Sequence, residues 1–501
     1  MLKKLRQSLA AVSIIMVTLL FLDFTGTVHA WFGWMAKIQF LPALLALNLG
    51  VIVALVALTL LLGRVYCSVI CPLGIMQDGF AWFGKKAKKN RYSYSPAKNI
   101  LRYVMLVIMA IAIIAGIGSV VALLAPYSAY GRIVQSILAP VWAFFNNLLA
   151  SWAEKEGSYS FYTIDIWLKS GITLGVAILT LVALGILAWR NGRTYCNTVC
   201  PVGTVLGLLS RFSLFRPVID TSKCNGCGLC ARNCKSACID SKSHKIDYSR
   251  CVTCMDCLSK CNKGAISYAF SPKANMKAVN EAIAADTDSK NVDNGRRQFL
   301  TAGVAIATAA AATAQEKVVD GGLAVIEDKK MPHRKTRIVP PGAQSIRNLT
   351  THCTACQLCV SVCPNGVLRP SSDVLTLMQP ESSYERGYCR PECTKCSNVC
   401  PTGAILPISV ADKSSIQIGH AVWVKENCVP VTDGVECGNC ARHCPAGAIL
   451  MVPSVAGDDS SPKIPVVNTE RCIGCGACEN LCPSRPFSAI YVEGHERHRV
   501  I

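Results

Sequence analysis

The stretch "RVYCSVICPLG", residues 64–74, follows a long apolar run and returns as "RTYCNTVCPVG" at residues 193–203. Both copies read Arg-x-Tyr-Cys-x3-Cys-Pro-x-Gly. Cysteines four residues apart lie on one face of a helix, and a proline directly after the second cysteine would end the helix there. The repeat therefore predicts a duplicated two-span unit whose four thiols converge: Cys67, Cys71, Cys196 and Cys200.

Two interpretations of these four thiols stay open. In the first they form a redox or metal site at the inner membrane surface, through disulfide exchange or metal ligation. In the second they are small side chains that pack two helix ends together. The close duplication favours the first, and we treat these cysteines as candidate redox thiols.

Four apolar segments predict membrane spans. The last three have roughly the length that crosses a hydrocarbon core of about 30 Å, and the first is short, although Leu5 and Phe24 could extend it. Residues 64–102 hold eight basic residues against one acid, Asp78, whereas the charges of residues 126–170 are balanced. The positive-inside rule then places the N-terminus, the 64–102 loop and the region after Trp189 in the cytoplasm. We expect residues 126–170 to be an outer loop, with its aromatic residues at the membrane interface. The predicted spans are Ser8–Leu22, Leu41–Gly63, Tyr103–Leu124 and Gly171–Trp189.

The composition suits a membrane protein with soluble appendages, since half of the 501 residues are apolar and only 16% are charged. The net charge of +20 lies largely in loops that flank the predicted spans, so no nucleic-acid partner is expected. A haem relay is not expected either, because only His29 among the histidines is near a span.

Two dense cysteine runs follow the fourth span, "CNGCGLCARNC" at 224–234 and "CVTCMDCLSKC" at 251–261. Their spacing is that of bacterial ferredoxins, in which three thiolates bind one [4Fe–4S] cluster and the fourth binds its partner. A zinc site would need paired C-x2-C knuckles separated by a longer loop. Cys238 is left over, and we expect a packed thiol rather than a ligand. The spacing assigns Cys224, Cys227, Cys230 and Cys261 to one cluster, and Cys251, Cys254, Cys257 and Cys234 to the other.

Four more cysteine runs follow residue 350. The first and last have regular ferredoxin spacing, whereas in the middle two a longer loop displaces the first cysteine. A stretched loop still delivers a thiolate, so we predict four further [4Fe–4S] clusters and six in total. The runs are Cys353, Cys356, Cys359, Cys363; Cys389, Cys393, Cys396, Cys400; Cys428, Cys437, Cys440, Cys444; and Cys472, Cys475, Cys478, Cys482.

Between the two cysteine-rich blocks lies "GRRQFLTAGVAIATAAAATAQ", residues 295–315, which has the form of a twin-arginine export signal. We interpret it as an internal fifth membrane segment, the alternative being a fusion scar that links two cytoplasmic modules. The predicted organisation is a four-span membrane domain (1–205), a two-cluster ferredoxin (206–270), a linker (271–294), this segment (295–315), a second linker (316–350) and a four-cluster ferredoxin domain (351–501). The fold class is thus an α-helical membrane domain with α+β bacterial-ferredoxin-like domains.

The motifs of residues 1–270 resemble the NapH-type ferredoxins of periplasmic nitrate reduction, and also the membrane domain of the NosR type. Residues 295–501 resemble the NapG/MauM type, a four-cluster periplasmic ferredoxin. The resemblance implies that the outer cysteine runs pair with each other, as do the inner ones. The fusion of the two types, and the lack of a proline after Cys234 and Cys261, depart from the pattern. Carried over, the ligand sets are Cys353, Cys356, Cys359 with Cys482; Cys472, Cys475, Cys478 with Cys363; Cys389, Cys393, Cys396 with Cys444; and Cys428, Cys437, Cys440 with Cys400.

These patterns predict a membrane-bound electron carrier of the quinol-dehydrogenase type. It would take electrons from quinol in the bacterial inner membrane and pass them to a periplasmic reductase or cytochrome. The two-cluster module would be cytoplasmic and the four-cluster domain periplasmic. No P-loop, dinucleotide fingerprint or nucleophile elbow points to an organic substrate site. The alternative is an accessory, maturation or redox-sensing protein that reduces the cofactor of a periplasmic metalloenzyme.

Overall fold

The computed structural model describes residues 2–23, 26–87, 92–158, 161–271, 319–320, 324–325 and 327–501. The twin-arginine-like segment 295–315 and nearly all of the linker 271–294 lie outside the described residues. The helices are α1 Leu2–Leu22, α2 Thr27–Phe32, α3 Trp34–Lys37, α4 Phe40–Leu45, α5 Leu49–Leu62, α6 Pro72–Lys86, α7 Asn99–Ala115, α8 Gly118–Leu124, α9 Pro126–Ile133, α10 Ala139–Lys155, α11 Gly171–Asn191, α12 Thr194–Thr198, α13 Pro201–Ser210, α14 Leu229–Arg232, α15 Ile346–His352, α16 Leu358–Ser361, α17 Lys395–Val399, α18 Val410–Ser415, α19 Val429–Thr432, α20 Asn439–Arg442 and α21 Ala477–Leu481. The strands are β1 Phe215–Ile219, β2 Ile239–Asp240, β3 Lys245–Ile246, β4 Ile266–Phe270, β5 Val319–Asp320, β6 Ala324–Val325, β7 Leu368–Pro370, β8 Pro380–Ser382, β9 Ile416–Trp423, β10 Ile449–Pro453, β11 Lys463–Val467 and β12 Ile490–Val500.

Three helices of the described chain are long and apolar enough to cross a membrane: Leu2–Leu22, Pro126–Lys155 and Gly171–Asn191. Two of the four predicted spans are therefore interrupted. Leu41–Gly63 breaks between α4 and α5, where the side chain of Asn48 accepts a hydrogen bond from the first turn of α5. Tyr103–Leu124 breaks at Gly116, which ends α7 in the left-handed conformation that glycine adopts easily.

The prediction of an outer loop from residue 126 to 170 is wrong in its first part. Helices α9 and α10, joined by a π-helical turn at Val134–Leu138, form one apolar rod, and its first ten residues are buried. Polar side chains lower the hydropathy of this segment, and two of them find partners inside the bundle. The hydroxyl of Tyr130 lies 2.6 Å from that of Thr18, and Arg132 Nη1 donates to Ala122 O at 2.5 Å.

Each copy of the repeated motif forms a hairpin that enters the helical bundle and returns. Gly63 packs against the two-cluster module, the chain then turns inward through Cys67 and Cys71, and α6 runs back. The end of α6 touches the end of α11, because a Cβ on Gly84 would lie only 2.1 Å from Trp189 O. The proline that was expected to end a helix instead begins the next one, at the first position of α6 and of α13.

The two cysteine-rich modules contact opposite ends of the helical domain. Just before α11, Lys169 Nζ donates to Val360 O of the four-cluster module at 3.4 Å. Just after α11, Arg193 N donates to Lys235 O of the two-cluster module at 2.8 Å. Because α11 has 21 residues and rises about 1.5 Å per residue, roughly 30 Å separates these contacts. That separation is similar to the thickness of a bilayer hydrocarbon core.

Short antiparallel strand pairs frame the cysteine loops of both modules. In the two-cluster module β1 pairs with β4, and in the four-cluster module β9 pairs with β12 and β10 with β11. Such small sheets supply little core of their own. The apolar clusters around them instead include the cysteine side chains, so the thiols are part of the packing.

The contact between α6 and α11 gives a stability test. The substitution Gly84→Ala places a methyl group against a backbone carbonyl and must push the two helices apart, at a cost of about 1–3 kcal/mol. We expect a lower midpoint of thermal unfolding, measured by circular dichroism in detergent. The control is Gly79→Ala on the same helix, where a Cβ meets nothing within 4 Å and alanine favours the helix. Equal midpoints for the two variants would contradict this packing.

Candidate metal centres

The cysteines of the two-cluster module gather into two groups. One cavity is lined by Cys234 together with Cys251, Cys254 and Cys257, so the last cysteine of the first run lies with the second run. Cys224 and Cys227 lie beside Cys230. Cys230 and Cys261 share an apolar cluster. The thiols therefore cross between the two runs. Group 1 is Cys224, Cys227, Cys230 and Cys261, and group 2 is Cys251, Cys254, Cys257 and Cys234.

Cys238 lies inside group 2 and contacts one of its members. Its side chain is almost fully buried, and its Sγ is 3.5 Å from Cys234 Sγ. The hydrogen bond between Cys238 and Cys234 lowers the pKa of Cys234 to about 7, and the same bond raises the pKa of Cys238 well above that of an ordinary thiol. Either sulfur could donate in this pair, but with Cys234 as a deprotonated metal ligand the buried Cys238 would be the donor.

In the four-cluster module the thiol pairing that the resemblance implies is wrong for every fourth cysteine. The sulfur of Cys400, rather than Cys482, lies beside the first run. In the structure consecutive runs therefore pair. The groups are group 3, Cys353, Cys356, Cys359 and Cys400; group 4, Cys389, Cys393, Cys396 and Cys363; group 5, Cys472, Cys475, Cys478 and Cys444; and group 6, Cys428, Cys437, Cys440 and Cys482.

The donor sets fit iron–sulfur clusters better than single ions. No group of three or more Cys, His, Asp or Glu side chains in the described part of the chain is arranged to hold one metal ion. Zinc needs four ligands at about 2.0–2.3 Å, whereas a cluster holds its thiolates further apart. Backbone amides also approach the sulfurs, as in Ala355 N to Cys353 Sγ at 3.3 Å and Ala448 N to Cys444 Sγ at 3.2 Å. Such hydrogen bonds stabilise negative charge on the sulfur.

Burial leaves these thiols in a setting that disfavours the free thiolate. Burial, together with neighbouring sulfurs, raises the pKa of Cys356 to about 12 and that of Cys475 to about 12, although backbone hydrogen bonds oppose the shift. A cationic metal cluster would remove this penalty, because a coordinating thiol is deprotonated by the metal. Without such a partner these thiols stay protonated at neutral pH.

Groups 3 to 6 follow one another in space. Cys359 of group 3 lies near Cys396 of group 4, and Cys389 of group 4 donates through its backbone to Cys475 O of group 5 at 2.9 Å. Groups 5 and 6 share one apolar cluster. The order along the module is therefore 3, 4, 5, 6, with group 3 at the helical domain.

Group 3 packs directly on helix α9. A Cβ on Gly131 would lie 2.4 Å from Cys356 O, and Tyr127 is close to both Cys356 and Cys400. At the other end of the helical domain, a Cβ on Gly63 would lie 2.8 Å from the hydroxyl of Thr253, inside the group 2 loop. Groups 2 and 3 are thus the members of their modules that face the helical domain.

Between groups 2 and 3 the structure brings together the four thiols of the repeated motif, which are all buried and free. Each of the two motif arginines donates a hydrogen bond to the backbone of the other copy of the repeat. Arg64 donates to Cys196 O and lies 3.7 Å from Cys67 Sγ, while Arg193 donates to Cys67 O and lies 3.8 Å from Cys196 Sγ. We call Cys67, Cys71, Cys196 and Cys200 the four-thiol centre.

The two arginines beside the four-thiol centre differ in their partners, because a carboxylate balances the charge of Arg193 but not that of Arg64 in the described structure. Asp78 compensates Arg193 at 2.8 Å and also binds Arg6 and Lys235, each at 3.1 Å. Arg64 is fully buried, and within the described residues it has only neutral oxygen partners besides the thiol. Sequence reasoning missed the role of Asp78, although its isolation among eight basic residues was a usable signal.

Two side chains that sequence reasoning did not single out lie between the four-thiol centre and group 3. Tyr195 is close to Cys200 and to Arg132, and Arg132 in turn is close to Cys356. The hydroxyl of Tyr195 donates to Leu124 O at 3.5 Å, which ties the second motif to α8. Tyr195 belonged to the repeated motif, but nothing in the sequence marked Arg132.

Three family models match the chain. A "4Fe-4S binding domain" matches residues 44–91 and again residues 173–219, which are the two repeats with the four-thiol centre. A "4Fe-4S dicluster domain" matches residues 352–405, and a second one of that description matches residues 434–485. Each dicluster match covers two consecutive cysteine runs, except that Cys428 lies before the start of the second match.

Three curated relatives match over less than half of this chain. The putative electron transport protein YccM of Escherichia coli is 25% identical over 48% of this chain and 60% of its own length. MauN, a methylamine utilization ferredoxin-type protein of Paracoccus denitrificans, is 28% identical over 41% of this chain and 57% of its own length. The ferredoxin-type protein NapH of E. coli is 26% identical over 44% of this chain and 67% of its own length.

The chain spans less than two thirds of YccM and of MauN, and no solved structure matches it.

The hydrogen bond between Cys238 and Cys234 gives a test of what sets the reduction potential of group 2. The substitution Cys238→Ala removes a donor worth about 1 kcal/mol, which is roughly 40 mV for a one-electron couple.

We expect the reduction potential of the group 2 cluster to become more negative by roughly 40 mV in this variant. The measurement is a redox titration followed by electron paramagnetic resonance. Cys238→Ser keeps a donor and serves as the control, with a smaller shift. Loss of the cluster signal in Cys238→Ala, with Cys238→Ser intact, would mean instead that Cys238 is a ligand.

The apolar helices, the cysteine groups and the family matches agree with one another. Over part of its length the chain is similar to the ferredoxin-type proteins NapH and MauN and to the putative electron transport protein YccM, and it combines three helices long and apolar enough to cross a membrane with segments that match 4Fe-4S domain families.

Proposed function

We propose that this protein carries electrons from the quinol pool to a periplasmic acceptor, and that the four-cluster module is the exit. The observation that carries the proposal is the unbroken spatial order of groups 3, 4, 5 and 6, which begins against helix α9 and leads away from it. A series of clusters with different ligand environments supports electron transfer without a substrate pocket at each step.

Six [4Fe–4S] clusters, one in each of groups 1 to 6, belong to this proposal, and a cluster in the four-thiol centre would add a seventh. Every group supplies four cysteines in the ferredoxin pattern, and the two modules lie at opposite ends of the helical domain. With the N-terminus in the cytoplasm, the two-cluster module is cytoplasmic and the four-cluster module periplasmic. The segment 295–315 then acts as the internal twin-arginine signal that exports the folded second module. Protection of residues 351–501 from protease in spheroplasts would contradict this topology.

The four-thiol centre is the link between the two modules in this proposal. Arg64 brings a positive charge into the bundle with no carboxylate to balance it in the described structure, and desolvating such a charge is costly. Four cysteine thiolates that share an iron–sulfur cluster carry negative charge and supply the missing balance. The match of a "4Fe-4S binding domain" to both repeats supports the same assignment.

The link is tested by Cys200→Ser. In the wild type, quinol reduces the clusters of both modules, whereas in the variant we expect it to reduce only one of them. The iron content should also fall by about four atoms per chain, as the loss of one cubane requires. Cys238→Ser is the control for replacing a buried cysteine outside the centre. Unchanged iron content with a blocked transfer would assign dithiol–disulfide chemistry to the centre instead.

The pairing of consecutive runs is tested by comparing Cys400→Ser with Cys482→Ser. Each variant should lose about a quarter of the iron–sulfur absorbance of the four-cluster module, because each removes one ligand of one cluster in four. Only Cys400→Ser damages the group that faces the helical domain, so only this variant should block reduction of the remaining clusters by quinol.

The opposite result, with Cys482→Ser blocking and Cys400→Ser conducting, would restore the pairing of outermost runs. Dithionite reduction of both variants controls for the clusters that remain. If clusters reduced by quinol in the wild type never reoxidise with a periplasmic reductase or cytochrome, the electron-conduit proposal fails and an accessory role remains.

A further inference from the structure

A cavity of about 150 Å³ lies where the outer end of the helical domain meets the four-cluster module. Cavities of that size admit a benzene-sized ring. Its walls are mostly apolar and come from the end of α1, the π-helical turn after α9, α10, the segment before α11 with its first turn, and the group 3 loop. They include Pro140, Trp142, Ile166, Leu168, Gln135 and Gln357.

Two buried amides line this cavity with atoms that have no partner. Gln135 Oε1 and Gln357 Nε2 make no hydrogen bond within the described structure, although Gln135 is 8% and Gln357 only 2% exposed. An unpaired buried polar atom costs about 1–3 kcal/mol, so each calls for a ligand. One is an acceptor and the other a donor, which together match a ligand that carries a hydroxyl group and a second oxygen.

The cavity lies beside group 3. Gln357 stands between Cys356 and Cys359 in the chain, and its φ of 66° holds it in the left-handed conformation that is rare for this residue. The module is fixed over the cavity by Trp167, whose ring lies 4.6 Å from the guanidinium of Arg369. A ring bound here is therefore within reach of the first cluster of the series.

The cavity is also accessible from the apolar surface of the helical domain. Trp142 on α10 and Leu168 before α11 line it and are 46% and 62% exposed. Exposed apolar side chains on membrane helices face lipid tails. A hydrophobic ligand can thus enter from the bilayer without crossing water.

We propose that this cavity is the quinol-binding site, an inference that rests on the proposed function. Gln135 Oε1 accepts a hydrogen bond from one quinol hydroxyl, and Gln357 Nε2 donates to the other oxygen. Oxidation breaks both O–H bonds of the quinol. The cysteines of groups 3 and 4 would hold oxidised clusters that accept the two electrons, one each, and the two protons leave to water past the exposed carboxylate of Asp165 at the cavity rim.

A second cavity at the opposite end of the helical domain is the natural competitor. It lies between α1 and α6, and its lining includes Gln7 and the ion-paired side chains Arg6, Asp78, Lys235 and Asp256. The charges of these four groups pair with one another, which leaves Arg6 Nε as their one unpartnered buried atom in the described structure, so this cavity offers a quinol a donor but no unpaired acceptor among them.

The test measures the reduction of the clusters in the full-length protein in nanodiscs by a short-chain menaquinol, followed by visible absorbance. For Gln135→Leu we expect the apparent KM for menaquinol to rise about tenfold, as the loss of one hydrogen bond of about 1.4 kcal/mol implies. Gln7→Leu is the matched control in the competing cavity and should leave KM unchanged. Dithionite reduction of each variant reports whether its clusters are intact.

The outcomes separate the two proposals. If Gln7→Leu raises KM and Gln135→Leu does not, the quinol site is the other cavity, and the proposed function stands. If menaquinol fails to reduce wild-type clusters that dithionite reduces, the proposed function fails and this site with it. A second measurement on the wild type avoids any folding defect: a photoactivatable azido-menaquinone should label residues 135–143 or 164–174, and labelling confined to residues 3–14 or 75–83 would overturn the assignment.

Discussion

The rest of the helical domain depends on two buried arginines, each of which donates hydrogen bonds to the other copy of the repeated motif. Arg64 holds the second copy of the motif through Cys196 O, and Arg193 holds the first through Cys67 O. Each arginine also needs its own glycine, since a Cβ on Gly203 or Gly74 would lie within 3 Å of a guanidinium nitrogen. The motif spacing of arginine, cysteine, proline and glycine is therefore explained as one unit. The arginine donates to the backbone of the other copy, the glycine of that other copy leaves room for the guanidinium, and the proline starts the returning helix.

This crossed arrangement also explains why the thiols lie inside the domain and not at its surface. A chain that enters the bundle at Gly63 and returns along α6 leaves its apex near the centre, and α8 and α9 approach that apex from the other side. The contacts from Cys200 through Tyr195 and Arg132 to Cys356 then span only part of the bilayer thickness. Two partial insertions that meet replace one long crossing, as the proposed transfer between centres on opposite sides of the membrane requires.

Much of this could be predicted from the sequence because it depends on local spacing. The ferredoxin runs and the repeat around Cys67 and Cys196 are patterns of adjacent residues, and the charge of residues 64–102 depends only on composition. The position of residues 126–135 could not be predicted, because Tyr130 and Arg132 make the segment look like a polar loop until their partners Thr18 and Ala122 are known. A hydropathy pattern records the cost of burying a polar group and not the hydrogen bond that offsets it.

The pairing of the last four cysteine runs failed for a related reason. The final cysteine of each run is part of a local motif, but the cluster it serves depends on which run folds against it, and that is a tertiary choice. Pairing consecutive runs and pairing outer with outer and inner with inner runs both give every sulfur three partners. Cysteine spacing alone therefore does not decide between the two pairings. The sheets do separate them: β7 and β8 close the unit of groups 3 and 4, whereas β10 and β11 lie within the unit of groups 5 and 6. Two compact units joined at Cys389 and Cys475 give a linear series of sites, and a nested pairing of outermost and inner runs would not.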